Sequence, residues 1–264
     1  MRPRSRTLPL WLTALVVLLA WPGLATAATP PLTFRVAFSD GARLGGDTSL
    51  RLAVRVAPGL PPVTELRVLT PNALEFSSSQ LGATSCRRPE TEVVQVMSPI
   101  RHNRCPANSL MATGVATAGL VFNEFRTIYS SASIELHAGP SVEDKPGLLL
   151  TADAFNPGRL QLTYAGYLYV PPEPFGLGLA LQVRPIPSPP FGVPLALSAF
   201  DLVVGRSTIT YHKLSHGHRV DYHPGGIPLA STCPSGGFRF RLIVRLADGS
   251  RYSSDAVLSC PLAR

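Results

Sequence analysis

The segment with the most chemically reactive side chains is 211–223, Tyr-His-Lys-Leu-Ser-His-Gly-His-Arg-Val-Asp-Tyr-His, which holds four of the six histidines. If Ser215–His218 form a hairpin turn with Gly217 at a positive φ, Tyr211 faces Tyr222 and His212 faces Asp221. A facing histidine and carboxylate can act as a catalytic pair or as two ligands for Zn²⁺ or Cu²⁺. The candidate metal ligands are His212, His216, His218, Asp221 and His223. Such pairs are also ordinary cross-strand stabilisers of a hairpin, and we prefer this simpler interpretation.

Acidic residues in the middle third of the chain are a second candidate for chemistry. Two carboxylates that meet in an open cleft can cleave a glycosidic bond. The acids considered are Glu124, Glu135, Glu143, Asp144 and Asp153. Because scattered acids on strand edges and turns are usually surface residues, we expect no catalytic pair among them.

Tyrosines offer a way to bind carbohydrate without cleaving it, because an exposed aromatic ring combines an apolar face with a polar hydroxyl. Tyr164, Tyr167 and Tyr169 cluster within 162–170, with Tyr167 and Tyr169 on one face of the predicted strand. We expect these rings to pack in the core rather than to bind a ligand.

The usual catalytic and cofactor signatures are absent from the sequence. It contains no Gly-x-Ser-x-Gly, no His-Glu-x-x-His and no Gly-x-x-x-x-Gly-Lys. The Gly176-Leu177-Gly178 run lacks the third glycine of a dinucleotide fingerprint. We therefore predict no cofactor and no catalytic residue, and we prefer a non-enzymatic protein.

Four cysteines allow three disulfide connectivities. The sequence favours Cys86–Cys105 and Cys233–Cys260, because the partners in each pair are close together and the two pairs are far apart. No Cys-x-x-Cys points to a metal or redox site. Paired cysteines are typical of proteins exported to oxidising surroundings.

The first 27 residues have the pattern of a secretory signal. Arg2, Arg4 and Arg6 precede an apolar run over 8–20, and Ala25-Thr26-Ala27 forms a small-x-small cleavage site. We expect cleavage before Ala28, which leaves 28–264 as the secreted region. No cysteine lies near the cleavage site, so we expect no lipid anchor there. No later stretch is long and apolar enough to cross a membrane, so we expect no membrane span after cleavage.

Composition and charge exclude several classes of protein. Of the 264 residues, 45% are hydrophobic and 15% charged, which is unlike a disordered tail or a coiled coil. The formal net charge is +8, but the densest basic runs, Arg87-Arg88 and the pair Arg101 and Arg104, have no flanking aromatic residues. The sequence therefore predicts no nucleic-acid partner.

Alternation of apolar and polar residues with a period of two predicts β-strands throughout the secreted region. Clear examples are 34–38, 50–56 and 238–246, in which arginines occupy the alternate positions. We expect these arginines to cover the solvent face of a sheet rather than to carry function. The other predicted strands are 65–69, 115–122, 133–137, 148–155, 160–170, 177–183, 195–204 and 208–214.

Pro- and Gly-rich breaks between these strands indicate an all-β antiparallel β-sandwich, either one large sandwich or two consecutive units. A boundary between two units is expected near 139–146. The last two strands, 238–246 and 251–258, form a hairpin around Ala247-Asp248-Gly249-Ser250, since Asp-Gly supplies the positive φ of such a turn. Cys233 and Cys260 would close its open end.

Three short motifs contain cysteine followed by proline. They are Cys105-Pro106-x-x-Ser109 with Gly114-x-Ala116, then Cys233-Pro234-x-Gly236-Gly237-Phe238, and a final Cys260-Pro261. Together they resemble a family of exported, functionally uncharacterised β-rich proteins of high-GC actinobacteria. The resemblance implies export, a β fold and paired cysteines, and it implies no activity. Only Lys145 and Lys213 are lysines, as a high-GC genome would produce.

The sequence therefore predicts a secreted, extracellular or cell-envelope protein of structural or binding type, with a partner in the same compartment. The alternatives are a secreted hydrolase acting on carbohydrate or cell-wall material and a metal-binding module built on the His212–His223 hairpin.

Overall fold

A computed structural model of the chain describes residues 30–76, 79–87, 94–95, 105–123, 126–155, 160–183, 195–205 and 209–261. The predicted signal segment 1–27, the acid Glu124 and the pair Arg101 and Arg104 lie outside these residues. The chain from Pro31 onward groups into one unit.

Sixteen strands and one short 3₁₀ turn, Ala107–Ser109, make up the regular structure of the described residues. The strands are β1 (Leu32–Phe38), β2 (Asp47–Thr48), β3 (Leu50–Val56), β4 (Val63–Pro71), β5 (Val94–Gln95), β6 (Leu110–Asn123), β7 (Arg126–Val142), β8 (Lys145–Ala154), β9 (Leu160–Tyr169), β10 (Phe175–Gln182), β11 (Leu195–Val204), β12 (Tyr211–Ser215), β13 (His218–Tyr222), β14 (Ile227–Pro228), β15 (Phe238–Leu246) and β16 (Arg251–Leu258). Among the described residues, no helix is long and apolar enough to cross a membrane.

Eleven of these strands follow one another in a single large sheet, in the order β1-β3-β11-β6-β7-β8-β9-β10-β4-β15-β16, and β5 pairs with β9. Each neighbouring pair is antiparallel, as predicted. The two end strands, β1 and β16, contact each other, so the sheet curls into a nearly closed, barrel-like sandwich.

The alternation seen in the sequence decides which face of each strand is buried. In β3 the burial pattern alternates strictly, with Leu50, Leu52, Val54 and Val56 inside. The same inner face in β15 carries Phe240, Leu242 and Val244, and all of these residues belong to one continuous core cluster. The arginines lie on the opposite face, here called the outer face, as the sequence predicted.

A boundary between two sandwich units does not appear near 139–146. These residues contain the turn that joins β7 to β8, and the two strands pair directly from Ala132↔Ala154 to Val142↔Lys145. The large sheet continues on both sides of this hairpin, and strands from both sides contribute to one core cluster.

The predicted disulfides are both present, Cys86–Cys105 and Cys233–Cys260, with Cα atoms 5.0 and 5.9 Å apart. The terminal hairpin is confirmed as well. β15 pairs with β16 up to Arg245↔Arg251, and Gly249 at the turn has a φ of 84°. Cys233–Cys260 closes the open end of this hairpin, and two structural disulfides are typical of an oxidising environment.

Candidate functional site

The histidine-rich hairpin has the predicted register, but it stands outside the large sheet. β12 and β13 form a separate two-stranded sheet in which Tyr211 faces Tyr222 and His212 faces Asp221. Its base is attached to the sandwich by Tyr211, which is completely buried. The Tyr211 hydroxyl donates to the Leu110 carbonyl at 2.7 Å and accepts from the Gly82 amide at 2.7 Å.

A second attachment comes from the Cys-Pro-x-x-Ser motif. The Asn108 side chain donates from Nδ2 to the His212 carbonyl at 2.6 Å and accepts the His212 amide at 2.8 Å. These two hydrogen bonds resemble those that a neighbouring β-strand would make to the His212 backbone. They hold this backbone in place, so the position of the His212 ring depends on the motif.

The His212 ring is engaged at both nitrogens. Nδ1 lies 2.6 Å from Asp221 Oδ1, and Arg219 Nη2 donates to Nε2 at 2.6 Å. The His212 hydrogen bond is the main cause that lowers the pKa of Asp221, and Arg219 adds to it. Because Nε2 accepts from Arg219, the lone pair that a metal ion or a general base would need is already occupied.

The other predicted metal ligands do not join this pair. His216 Nδ1 lies 3.2 Å from the neighbouring Ser215 hydroxyl, and His223 Nδ1 lies 3.0 Å from the Ile209 carbonyl. His218 is exposed at the start of β13. Among the described residues, no group of three or more His, Cys, Asp or Glu side chains is placed to hold a metal ion.

A Ser–His–Glu set that the sequence analysis missed lies beneath the hairpin. His137 is buried, with Nδ1 3.0 Å from Ser109 Oγ and Nε2 3.1 Å from Glu135 Oε2. Ser109 is completely buried and its hydroxyl donates to the Pro106 carbonyl at 2.6 Å. A serine without access to a substrate is not a nucleophile, so this set fastens the motif to β7. In the sequence, the only sign of this set was the position of Ser109 in the Cys-Pro-x-x-Ser motif.

The acids proposed for glycoside cleavage are distributed over separate partners. Asp153 Oδ1 accepts a hydrogen bond from the Gln161 side-chain amide at 2.8 Å. Glu143 lies 3.4 Å from the Lys145 ammonium group, and Glu135 contacts His137. Among these acids, Asp144 lines an open groove formed by described residues. In the two described grooves, no second of these acids joins it.

The tyrosines do form a groove, contrary to the expectation of core packing for all three. Tyr164 packs against the core, and desolvation raises its pKa to about 12. Tyr167 and Tyr169 instead lie on the outer face of β9, with ring centroids 5.9 Å apart. They line an open groove of about 410 Å³, here called the tyrosine groove, together with Arg67, Asp144, Lys145 and Val170.

The pairing of β9 with β10 explains where the Tyr169 ring lies. Tyr169 lies opposite Gly178 of β10, and a Cβ atom at Gly178 would overlap the Tyr169 ring. The ring therefore lies across the bare glycine backbone. A flat, supported ring of this kind is a preorganised platform for a ligand.

Two cations border the aromatic rings. Lys145 Nζ lies 4.6 Å from the Tyr167 ring centroid, and the Arg67 guanidinium lies 6.0 Å from that of Tyr169. Burial raises the pKa of the Tyr169 hydroxyl, and the nearby Arg67 partly opposes that rise. Arg67 is itself bonded to Glu65 Oε1 at 2.7 Å through Nε, which fixes its side chain at the groove.

The turn between β7 and β8 presents Asp144 and Lys145 to this groove. Glu143 and Asp144 both have positive φ, 49° and 61°, which is the backbone of a two-residue type I′ turn. Glycine and asparagine normally fill such positions, so two acidic side chains there carry a conformational cost. Strained non-glycine residues of this kind are found preferentially at functional sites.

Comparison with family models, curated proteins and solved structures finds no match. The resemblance to exported actinobacterial proteins stays a prediction.

Proposed function

We propose that this chain is a secreted binding protein of the extracellular space or cell envelope, and that its tyrosine groove holds an acidic saccharide. The observation that carries the proposal is the meeting of two outward aromatic rings and two cations in one groove. Export is supported by the predicted signal segment and by the two disulfides.

The groove provides both parts of saccharide recognition. Tyrosine rings offer apolar faces to the C–H surface of a sugar ring, and their hydroxyls remain able to bond to sugar hydroxyls. Lys145 offers a charge-assisted hydrogen bond to a carboxylate, which is shorter and stronger than a neutral one. Arg67, already bonded to Glu65, adds positive charge at the groove. Asp144 can accept from hydroxyl groups at the rim. A uronic acid unit combines these three features in one ring.

Binding is tested by calorimetric titration of the secreted region with trigalacturonate, and with neutral galactotriose as the comparison. We expect Tyr167→Ala and Tyr169→Ala each to weaken trigalacturonate binding about tenfold, since stacking on one ring is worth roughly 1–1.5 kcal/mol. Tyr129→Ala is the matched control, because Tyr129 is an exposed tyrosine on β7 outside the groove.

Selectivity for acid is tested by Lys145→Met, which keeps the length of the side chain and removes its charge. We expect trigalacturonate binding to fall about fivefold and galactotriose binding to stay unchanged. Equal binding of both sugars by the wild type, or an equal loss in the Tyr129→Ala control, would contradict the proposal. Circular dichroism and thermal unfolding of each variant separate loss of binding from loss of fold.

A further inference from the structure

A second groove lies on the outer face of the sheet where β1, β3 and β11 run side by side. It has a volume of about 600 Å³ and is bordered by Arg35, Arg51 and Arg55, with Asp201 at one side. We call it the arginine groove. Its residues are distinct from those of the tyrosine groove, and neither the histidine hairpin nor the disulfides contribute to it.

The register of the strands produces this concavity. Arg35 of β1 and Asp201 of β11 both lie opposite Ala53, the small residue at the centre of β3. Arg51 and Arg55 precede and follow Ala53 by two residues, so they project from the same face. Long side chains thus surround a floor made by a methyl group. Diagonal neighbours on a sheet are about 7–8 Å apart at their backbone, within reach of one shared ligand for two guanidinium groups.

The charges in this groove are not balanced. Arg51 forms a two-pronged bond with Asp201, at 3.0 Å from Nε and 2.6 Å from Nη2. Arg55 donates from Nη1 to its neighbouring Val54 carbonyl at 3.0 Å. Among the described residues Arg35 and Arg55 have no carboxylate partner. The groove therefore has three guanidinium groups and one carboxylate, a formal excess of two positive charges.

Four arginines elsewhere on the outer face each have a carboxylate partner, unlike Arg35 and Arg55. Asp255 binds both Arg239 and Arg241, at 2.7 and 2.6 Å. Glu65 binds Arg67 at 2.6 Å and lies 3.8 Å from Arg245. At those positions each carboxylate is shared by two arginines. In the arginine groove, both Asp201 oxygens accept hydrogen bonds from Arg51.

We infer that the arginine groove is a binding site for a phosphate group. Planar guanidinium forks match the geometry of phosphate oxygens and bind them by two parallel hydrogen bonds. Arg35 and Arg55 supply two such forks over the Ala53 floor. Asp201 restrains Arg51 and, by its own negative charge, limits how strongly the groove attracts an anion. This site does not depend on the function proposed for the tyrosine groove.

The first test is calorimetric titration of the secreted region with inorganic phosphate at low salt, with acetate as a control anion. We expect saturable phosphate binding that weakens as sodium chloride is added, because salt screens exposed charges. Arg35→Gln and Arg55→Gln should each weaken it about fivefold. Arg251→Gln is the matched control, since Arg251 is an exposed arginine on β16 outside both grooves.

The decisive variant is Asp201→Asn, whose expected effect has the opposite sign. Removing the Asp201 carboxylate frees the Arg51 guanidinium group and also removes the negative charge that repels an anion. Phosphate should therefore bind about fivefold more tightly. If Asp201→Asn does not fold, Arg51→Gln tests the same point, because it removes a guanidinium group from the groove and keeps the Asp201 carboxylate, so it should weaken binding more than Arg251→Gln does. A purely structural role of the Arg51–Asp201 pair would not tighten binding.

The source of the phosphate group is resolved by a second probe, glycerophosphoglycerol, a phosphodiester. Tighter binding of the diester indicates a phosphodiester-linked polymer, and tighter binding of inorganic phosphate indicates a free anion. The inference is overturned if no saturable phosphate binding is found, or if Arg35→Gln and Arg251→Gln change it equally. Tyr167→Ala should leave phosphate binding unchanged, so the two proposals can fail separately.

Discussion

The tyrosine groove and the arginine groove lie on the outer face of the same curled sheet, but their floors differ. In the first, the ring of Tyr169 lies across Gly178, so the surface offered to a ligand is aromatic. In the second, Ala53 leaves a gap between arginine side chains, so the surface is a ring of guanidinium groups. One small residue in the middle of a strand therefore produces a platform or a pocket, according to whether its neighbours are rings or long cations.

This comparison assigns different ligands to the two grooves. Aromatic rings contribute to binding through their contact area. The tyrosine groove therefore favours a ring-shaped ligand, whose binding should depend little on salt. Guanidinium groups in water contribute to binding through charge and hydrogen-bond geometry. The arginine groove therefore favours a compact anion, and its affinity for that anion should fall strongly as ionic strength rises. Changing the floor of one groove should leave the other groove intact.

The largest effect is expected from Gly178→Ala in the tyrosine groove. The new Cβ atom would enter the space of the Tyr169 ring, and this ring is the mobile end of a side chain that can swing away. We expect trigalacturonate binding to weaken about tenfold, which corresponds to loss of one stacking contact. Phosphate binding, measured in the same calorimeter, should not change. Equal weakening of both ligands would show that the grooves are not independent.

A smaller effect is expected from Ala53→Val in the arginine groove. Ala53 is half-buried, and valine suits such a strand position, so stability should be retained, but its two methyl groups occupy the floor between the guanidinium groups. We expect phosphate binding to weaken about threefold to fivefold, because the anion is held farther from Arg35 and Arg55. Titration with trigalacturonate serves as the control. Unchanged phosphate binding would place the anion outside this groove.

Local patterns in the sequence were sufficient to predict much of the fold. The alternating strands, both disulfides, the register of the histidine hairpin and the existence of the terminal hairpin follow from residues close together in the chain, and all are confirmed. The outward direction of the arginines is confirmed for the same reason, since period-two alternation assigns each side chain to a face. The extent of β7 was underestimated, because one tyrosine and two serines at 126–132 interrupt the apolar pattern.

Both grooves escaped prediction because they depend on which distant strands are neighbours. Arg67 reaches Tyr169 only because β4 pairs with β10, and Asp201 reaches Arg51 only because β11 lies beside β3. Alternation shows that a strand has an inner and an outer face, but it does not choose its partner. The preference for core packing of the tyrosines failed at Tyr167 and Tyr169, which share the face opposite to Tyr164.

The smallest expected effect contrasts a compensated arginine with an uncompensated one. Asp255 accepts hydrogen bonds from Arg241 and Arg239, and the Arg241 bond is the main cause that lowers its pKa to about 2. A carboxylate whose pKa is lowered by folding stabilises the fold above its unfolded-state pKa, and this contribution is lost as the pH falls through the folded value. Because both partners are partly exposed, the effect is discounted for solvent screening to about 0.5 kcal/mol.

Arg241→Gln should therefore lower the free energy of unfolding at pH 7, measured by urea denaturation. The difference from the wild type should shrink below about pH 4 and vanish near pH 2, where Asp255 becomes protonated in the folded state as well. Arg35→Gln should show no such loss at any pH, because Arg35 has no carboxylate partner among the described residues. A pH-dependent loss in Arg35→Gln would show that its guanidinium group is already compensated, and a compensated Arg35 would not be available to a phosphate group.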